Sequence, residues 1–346
     1  MLGWATHDRP CTGWASVGVF AMRLRLCPKS VALSMKKTWC QYTAHLMTDA
    51  PFSDCPPTLD GVASARWSAW PHAQSPWLHE EIGQRMQERL EWIRLQPKLW
   101  VDWSPLDGGL TTHAKVRARY PDSRCLVVEP TLARAQLTQQ LLQAPWWQRW
   151  LKPQALSFGN PALGSADMVW ANMALHVSAH PQALLQQWHQ ALAVDGFVMF
   201  SCLGPDTLHE LHAVYQQQGW PAPSHAFTDM HDWGDMLVAA GFAEPVMDME
   251  RLTLTYASPQ ALLTELRGLG RNLSVARFAG LRGRHWQMQL EEALLALAKP
   301  DLGGRLSVTV EVIYGHALKP LPRAKMAEQS SVSLQDMRTM LGQSKG

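Results

Sequence analysis

One stretch, Leu99 to Pro130, limits the possible folds of this chain more than any other. It reads Leu-Trp-Val-Asp-Trp-Ser-Pro-Leu-Asp-Gly-Gly, continues through a helix-compatible run, and ends Cys-Leu-Val-Val-Glu-Pro. An apolar run ending in Asp102, a glycine-containing turn, a helix, and a second apolar run closed by Glu129 form one βαβ unit of the nucleotide-binding kind. Small residues at such a turn let backbone approach a ligand, and a carboxylate ending the second strand can accept hydrogen bonds from both hydroxyls of a ribose. Glu129 is the candidate for that task. The plainer alternative is a parallel α/β protein that simply ends a strand in an acid.

The rest of the chain repeats the unit. A helix is predicted from Ser75-Pro76, with Ile82, Met86, Leu90 and Ile93 on one face, ending at Pro97. A second runs from Leu132 to Leu142, followed by Trp146, Trp147 and Trp150, which read as packing residues rather than a stacking platform. Short strands are expected at Gln154–Ser157, Asp167–Asn172 and Phe197–Ser201, with a helix from Pro181 to Asp195-Gly196 between the last two. Consecutive βα units imply a doubly wound, Rossmann-like parallel sheet whose ligand edge gathers the Ser104–Gly109 loop, Glu129, Asn172 and the segment after Ser201.

The later strands alternate instead. Leu252 and Leu254 alternate with Arg251, Thr253 and Thr255, and Val308, Val310 and Val312 with Thr309 and Glu311, so both read as antiparallel strands at a sheet edge. That completes a seven-stranded sheet. A helical insertion at 258–300 lies between them, its first helix capped at Ser258-Pro259 and carrying Leu262, Leu263, Leu266 and Leu269. The fold domain is thus expected over 48–318, with a disordered extension at 1–47 and a polar, disordered tail at 319–346. Translation starting at Met35 or Met47 would remove most of the extension.

Composition excludes several classes. A formal charge of +2 gives no reason to propose nucleic-acid binding. No apolar stretch reaches the ~20 residues that span a bilayer. The 6 cysteines form no Cys-x-x-Cys pair and suit free thiols in a reducing cytoplasm. His209, Glu210 and His212 are too close together for a His-Glu-x-x-His motif, and no metal site is expected.

Five parallel strands followed by an antiparallel pair, with a glycine turn after the first strand and an acid after the second, resemble class I S-adenosylmethionine-dependent methyltransferases. Four segments narrow the likeness: Asp-Met-Val-Trp-Ala-Asn-Met-Ala-Leu-His from Asp167, Phe-Ser-Cys-Leu-Gly-Pro-Asp-Thr-Leu-His-Glu-Leu from Phe200, His-Ala-Phe-Thr-Asp-Met-His-Asp-Trp-Gly-Asp-Met-Leu from His225, and Leu-Leu-Thr-Glu-Leu-Arg-Gly-Leu-Gly-Arg-Asn from Leu262. These are similar to the malonyl-acyl-carrier-protein O-methyltransferases of biotin synthesis, and to a related group of mitochondrial complex I assembly factors with a hydroxylase-like activity. The resemblance implies S-adenosylmethionine as cofactor, malonyl-acyl carrier protein as partner, Asp102, Gly108, Gly109 and Glu129 at the cofactor, and Asn172 as the floor of the site. One departure stands out. Where the family has Asp-x-Gly-x-Gly-x-Gly, this chain has Asp102-Trp103-Ser104-Pro105-Leu106-Asp107-Gly108, and the acid that commonly follows the third strand is replaced by Ser157-Phe158-Gly159-Asn160. A non-catalytic, methyltransferase-like scaffold is therefore the alternative function.

A malonyl carboxylate is already ionised near neutral pH, so its methylation needs alignment and desolvation rather than a general base. Arginine is the natural partner for such a carboxylate, and Arg267 and Arg271 are the candidates. From Arg267 to Arg284 the insertion carries Arg267, Arg271, Arg277, Arg282 and Arg284 and no acid, a basic surface suited to steering an acidic carrier protein.

Overall fold

A computed structural model describes residues 59–71, 74–142, 156–322 and 335. The 1–47 extension, the Trp146–Trp150 cluster, the start of the expected third strand and most of the tail lie outside these residues.

The strands are β1 Leu99–Trp103, β2 Arg124–Val128, β3 Leu156–Phe158, β4 Ala166–Ala171, β5 Leu192–Leu203, β6 Ala243–Tyr256, β7 Ala298–Lys299 and β8 Arg305–Leu318. They form one sheet in the order β3-β2-β1-β4-β5-β8-β6, with β7 pairing β8. The first five are parallel, and β8 runs antiparallel to both β5 and β6. The chain winds outward from β1 to β3, then returns to place β4 on the other side of β1. Strand order therefore reverses between β1 and β4, opening the crevice in which ligands of such sheets bind.

Both faces of the sheet are covered, which explains the near-continuous apolar runs of its central strands. Along β4, Met168 and Trp170 face one layer while Val169 and Ala171 face the other, and β5 divides Phe197 and Met199 from Val198 and Phe200 in the same way. The first layer is closed by helices α2 (Trp77–Arg89) and α4 (Leu110–Arg119), which contribute Leu78, Ile82, Met86 and Val116. The second is closed by α6 (Pro181–Ala191) and α8 (Met230–Ala239), which contribute Leu185, Trp188, Trp233 and Leu237. A satellite core joins α7 (His209–Gln217), α9 (Pro259–Leu269) and α10 (Arg284–Leu294) through Leu211, Leu262, Leu290 and Leu294 to Leu306 and Val308 of β8. Of the remaining helices, α1 spans Gly61–Ala69, α3 is the short turn Pro105–Gly108, and α5 is Leu132–Leu142.

Several boundaries differ from the sequence expectation. The sheet has an eighth strand, because the insertion ends in the two-residue β7 rather than in helix throughout. Helix α6 stops at Ala191, and β5 begins at once at Leu192, passing a left-handed Asp195 at φ 64° and an irregular register against β4. Of the two antiparallel strands only β6 lies at an edge; β8 is interior. Its alternation misled because Glu311, on the second face, is buried against a polar loop, accepting from the Asp206 N–H at 2.7 Å. Ser258 does cap α9, accepting from the Ala261 N–H.

Candidate functional site

The turn after β1 is built by its own backbone. Ser104 takes a left-handed conformation at φ 56°, and Pro105 opens the single turn α3. The Gly108 N–H donates to the Ser104 carbonyl at 2.9 Å and the Gly109 N–H to the Pro105 carbonyl at 2.8 Å. Gly109 sits at φ 125°, a region side chains rarely adopt, and a Cβ there would lie 2.8 Å from a Glu80 carboxylate oxygen. Glu80 reaches this point because it caps α4, accepting from the Thr111 and Thr112 N–H groups at 2.9 Å each. The close approach that glycine permits here is therefore made by the protein's own carboxylate.

Glu129 stands where the sequence placed it, just past β2, but among protein partners. Its Oε1 accepts from the Leu106 N–H at 3.0 Å and the Thr138 hydroxyl at 2.9 Å, and its Oε2 accepts from Arg134 Nε at 2.9 Å. Arg134, on α5, also pairs with Asp107 at 2.8 Å and donates to the Ser68 carbonyl at 3.0 Å. Burial raises the Glu129 carboxyl above its ordinary value, and Arg134 works against that shift. Burial acts to lower the Arg134 guanidinium, yet Asp107 and Glu129 outweigh it and hold the group above its usual range.

Asn172 is buried just past β4. Its amide donates to the His79 carbonyl at 2.7 Å and to the Gly108 carbonyl, while its oxygen accepts from Ser201 at 2.6 Å. Asp102 lies at the end of β1, fully buried, its carboxylate 2.6 Å from His113 Nδ1. Burial raises the Asp102 carboxyl, with His113 opposing.

These positions do not fit a bound nucleoside in the observed arrangement. Both Glu129 oxygens are engaged and buried, and the α3 turn lies across them, with Leu106 fully buried. Nor do Gly108 and Gly109 face open space: the near neighbours of a Cβ there would be Asn172 and Glu80.

An open site lies beside this closed turn. A cavity of about 260 Å³ at the carboxyl edge of the sheet is walled by Leu78, Met173, Leu203, Leu263 and Leu266 and carries both Arg267 and Arg271. The two arginines sit at the end of α9, where Arg271 donates to the Arg267 and Gly270 carbonyls, and its guanidinium lies 5.3 Å from the Trp67 ring. Burial, then the neighbouring Arg267, lowers the Arg271 pKa. Three histidines also line the cavity: His79, His176 and His225. Burial first, then repulsion from His79 and His225, holds His176 well below the ordinary imidazole range, and burial lowers His225 likewise. Sequence reasoning missed Asp107, Arg134, Thr138 and the histidines. Arg134 alone had a signal, lying five residues past Glu129 on the next helix.

The basic insertion is only partly free. Arg277 is spent on Asp60 at 2.6 Å, while Arg282 lies over the rings of Phe278 and Trp286. Val275, Phe278 and Leu281 of the same stretch are exposed. Among the described residues no group of histidines, cysteines and acids could hold a metal ion, and no helix is long and apolar enough to cross a membrane.

The five parallel strands, the antiparallel β8–β6 addition, the acid ending β2 and the cavity at the carboxyl edge define the Rossmann-like methyltransferase class. No family model matches the chain. Direct comparison is more specific: the chain belongs to the malonyl-acyl-carrier-protein O-methyltransferase family. It is 39% identical over 259 residues to the protein of that name from Laribacter hongkongensis, covering 72% of this chain and 84% of that one. To the Gallionella capsiferriformans protein it is 37% identical over 258 residues, covering 71% and 85%. The Halorhodospira halophila protein is also 37% identical, over 246 residues, covering 69% and 80%.

Proposed function

We propose that this chain transfers the methyl group of S-adenosylmethionine to the free carboxylate of malonyl-acyl carrier protein, in the making of biotin precursors. The observation that carries this reading is the apolar cavity at the carboxyl edge of the sheet with Arg267 and Arg271 in its wall. It supports an acceptor with a negative end and an apolar body, and family membership supports the chemistry. S-adenosylmethionine supplies an electrophilic sulfonium methyl.

What the residues do for the acceptor follows from their chemistry. The carboxylate arrives ionised, so no base is required. Arg267 and Arg271 orient it, and the leucine walls strip water from it, which strengthens every electrostatic interaction inside the cavity. His176 and His225, kept neutral by burial, add no competing charge. Arg282 and Arg284, on the exposed insertion, steer the acidic carrier protein; nucleic acid is not the partner. Buried free thiols at Cys125 and Cys202 suit a reducing cytoplasm.

Steady-state kinetics test the assignment with two acceptors, malonyl-acyl carrier protein and a malonyl thioester of pantetheine alone. A charge-assisted hydrogen bond contributes about 1.5–3 kcal/mol. Arg271→Gln should therefore raise KM about tenfold or more for both acceptors, whereas Arg282→Glu with Arg284→Glu should raise it for the carrier-bound acceptor alone. Unchanged KM values in Arg271→Gln would remove that arginine from the site. Equal effects of the charge reversal on both acceptors would remove the docking role.

The closed Ser104–Gly109 turn favours a second reading, a scaffold that keeps the fold and cavity without the methyl donor. Absence of donor binding by the folded chain would establish it.

A further inference from the structure

The partners of Glu129 carry an inference that rests on the methyl-donor reading above. We propose that Arg134 and Asp107 form a latch that holds the Ser104–Gly109 turn shut over Glu129, so that a nucleoside reaches this carboxylate only when the turn opens.

The latch has two sides. On one, the buried Arg134 guanidinium spans two elements, bonding Glu129 beyond β2 with Nε at 2.9 Å and Asp107 in α3 with Nη1 at 2.8 Å. The Leu106 N–H closes the same side by donating to Glu129 at 3.0 Å. On the other, His79 Nδ1 bonds the Asp107 carbonyl at 2.9 Å, and Asn172 bonds the Gly108 carbonyl. A four-residue turn is thus fastened at three consecutive positions, Leu106, Asp107 and Gly108, while the fully buried Leu106 side chain adds apolar hold.

Other features work against closure. Ser104 occupies a left-handed backbone conformation that a residue with a side chain adopts at a cost. Arg134 Nη2 is buried without a hydrogen-bond partner among the described residues, so the closed state leaves a cationic donor unsatisfied. Ion pairs and Leu106 burial on one side, strain and an unmet donor on the other, make a two-state element. Ribose hydroxyls would compete for the same Glu129 oxygens that now accept from Leu106, Thr138 and Arg134. When only a fraction of molecules is open, apparent affinity falls by that fraction.

The test is titration calorimetry of S-adenosylhomocysteine into the full chain, with hydrogen exchange followed at the Leu106 amide. Asp107→Asn removes one ion pair of the latch while leaving Glu129 and Arg134 paired, and Arg134→Lys, which keeps the charge but loses the fork, is the second variant. Both should bind the nucleoside about tenfold tighter than the unaltered chain, and saturation should speed exchange at Leu106. Equal or weaker binding by both variants, or undiminished Leu106 protection in the saturated protein, would overturn the latch and leave the donor reading standing. No binding by any of the three, each shown to be folded by its thermal transition, would overturn both.

Discussion

The Glu129 and Asp107 carboxyls flank a single guanidinium, that of Arg134, at 2.9 and 2.8 Å, and this triplet ties the 104–109 turn to the end of β2. A buried ion pair is weak evidence for stability, but removing one partner of such a pair costs about 3–5 kcal/mol because the other charge is left unpaired. The variants that report on the turn are therefore those that loosen Arg134 without stranding it. His176 illustrates a second consequence of burial. Its imidazole is held well below the value of 6.5 by burial and by His79 and His225, so the folded protein keeps it neutral at a pH where the unfolded chain is protonated. The unfolded state then binds more protons, and stability falls as pH drops below about 6.5, by up to about 1.4 kcal/mol per pH unit for each such group. Urea denaturation at pH 7.5, 6.5 and 5.5 should show a shallower loss for His176→Asn than for the unaltered chain; identical slopes would mean that His176 titrates normally in the folded state.

At the scale of elements, β5 and β8 depend on one absent side chain. Gly315 of β8 pairs with Phe200 of β5, and a Cβ at 315 would lie 2.2 Å from the Phe200 ring. Overpacking of this kind costs about 1–3 kcal/mol. Gly315→Ala should lower the unfolding free energy by that much, and Phe200→Leu should recover part of the loss; an unaltered denaturation midpoint for Gly315→Ala would show that the strands separate easily. The elements themselves were largely legible. Ile82, Met86 and Leu90 lie at helical spacing and are buried along one core, and Asp167 to Ala171 falls in the central strand that its unbroken apolar run implied. Less legible was anything set by partners distant in the chain. The polar side of β8 reads as solvent-facing until the 204–207 loop is seen to cover Glu311. Likewise the 104–109 turn announces a bulky departure from a glycine-rich loop, but not that Asp107 meets Arg134 or that Glu80 fills the space beside Gly109. Arg267 and Arg271 were readable as a pair at the end of a capped helix; the cavity beside them depends on α2, β5 and the 223–227 segment, which no local pattern joins.

Across the whole molecule, the doubly wound sheet supplies a switch-point crevice, while the insertion between β6 and β8 adds Leu263, Leu266, Arg267 and Arg271 to the cavity beside it. In this chain that cavity is open, while the 104–109 turn is held over Glu129 by Leu106, Asp107 and Arg134. A family member with a ready acceptor cavity and a latched donor edge should work slowly at first contact with donor and normally once the turn has opened. The most direct test of methyl transfer is the mass of malonyl-acyl carrier protein after incubation with the full chain and S-adenosylmethionine. The product should be heavier by one methyl group, held as an ester that mild alkali removes. An unchanged carrier mass, with a folded chain that demonstrably binds S-adenosylhomocysteine, would contradict it.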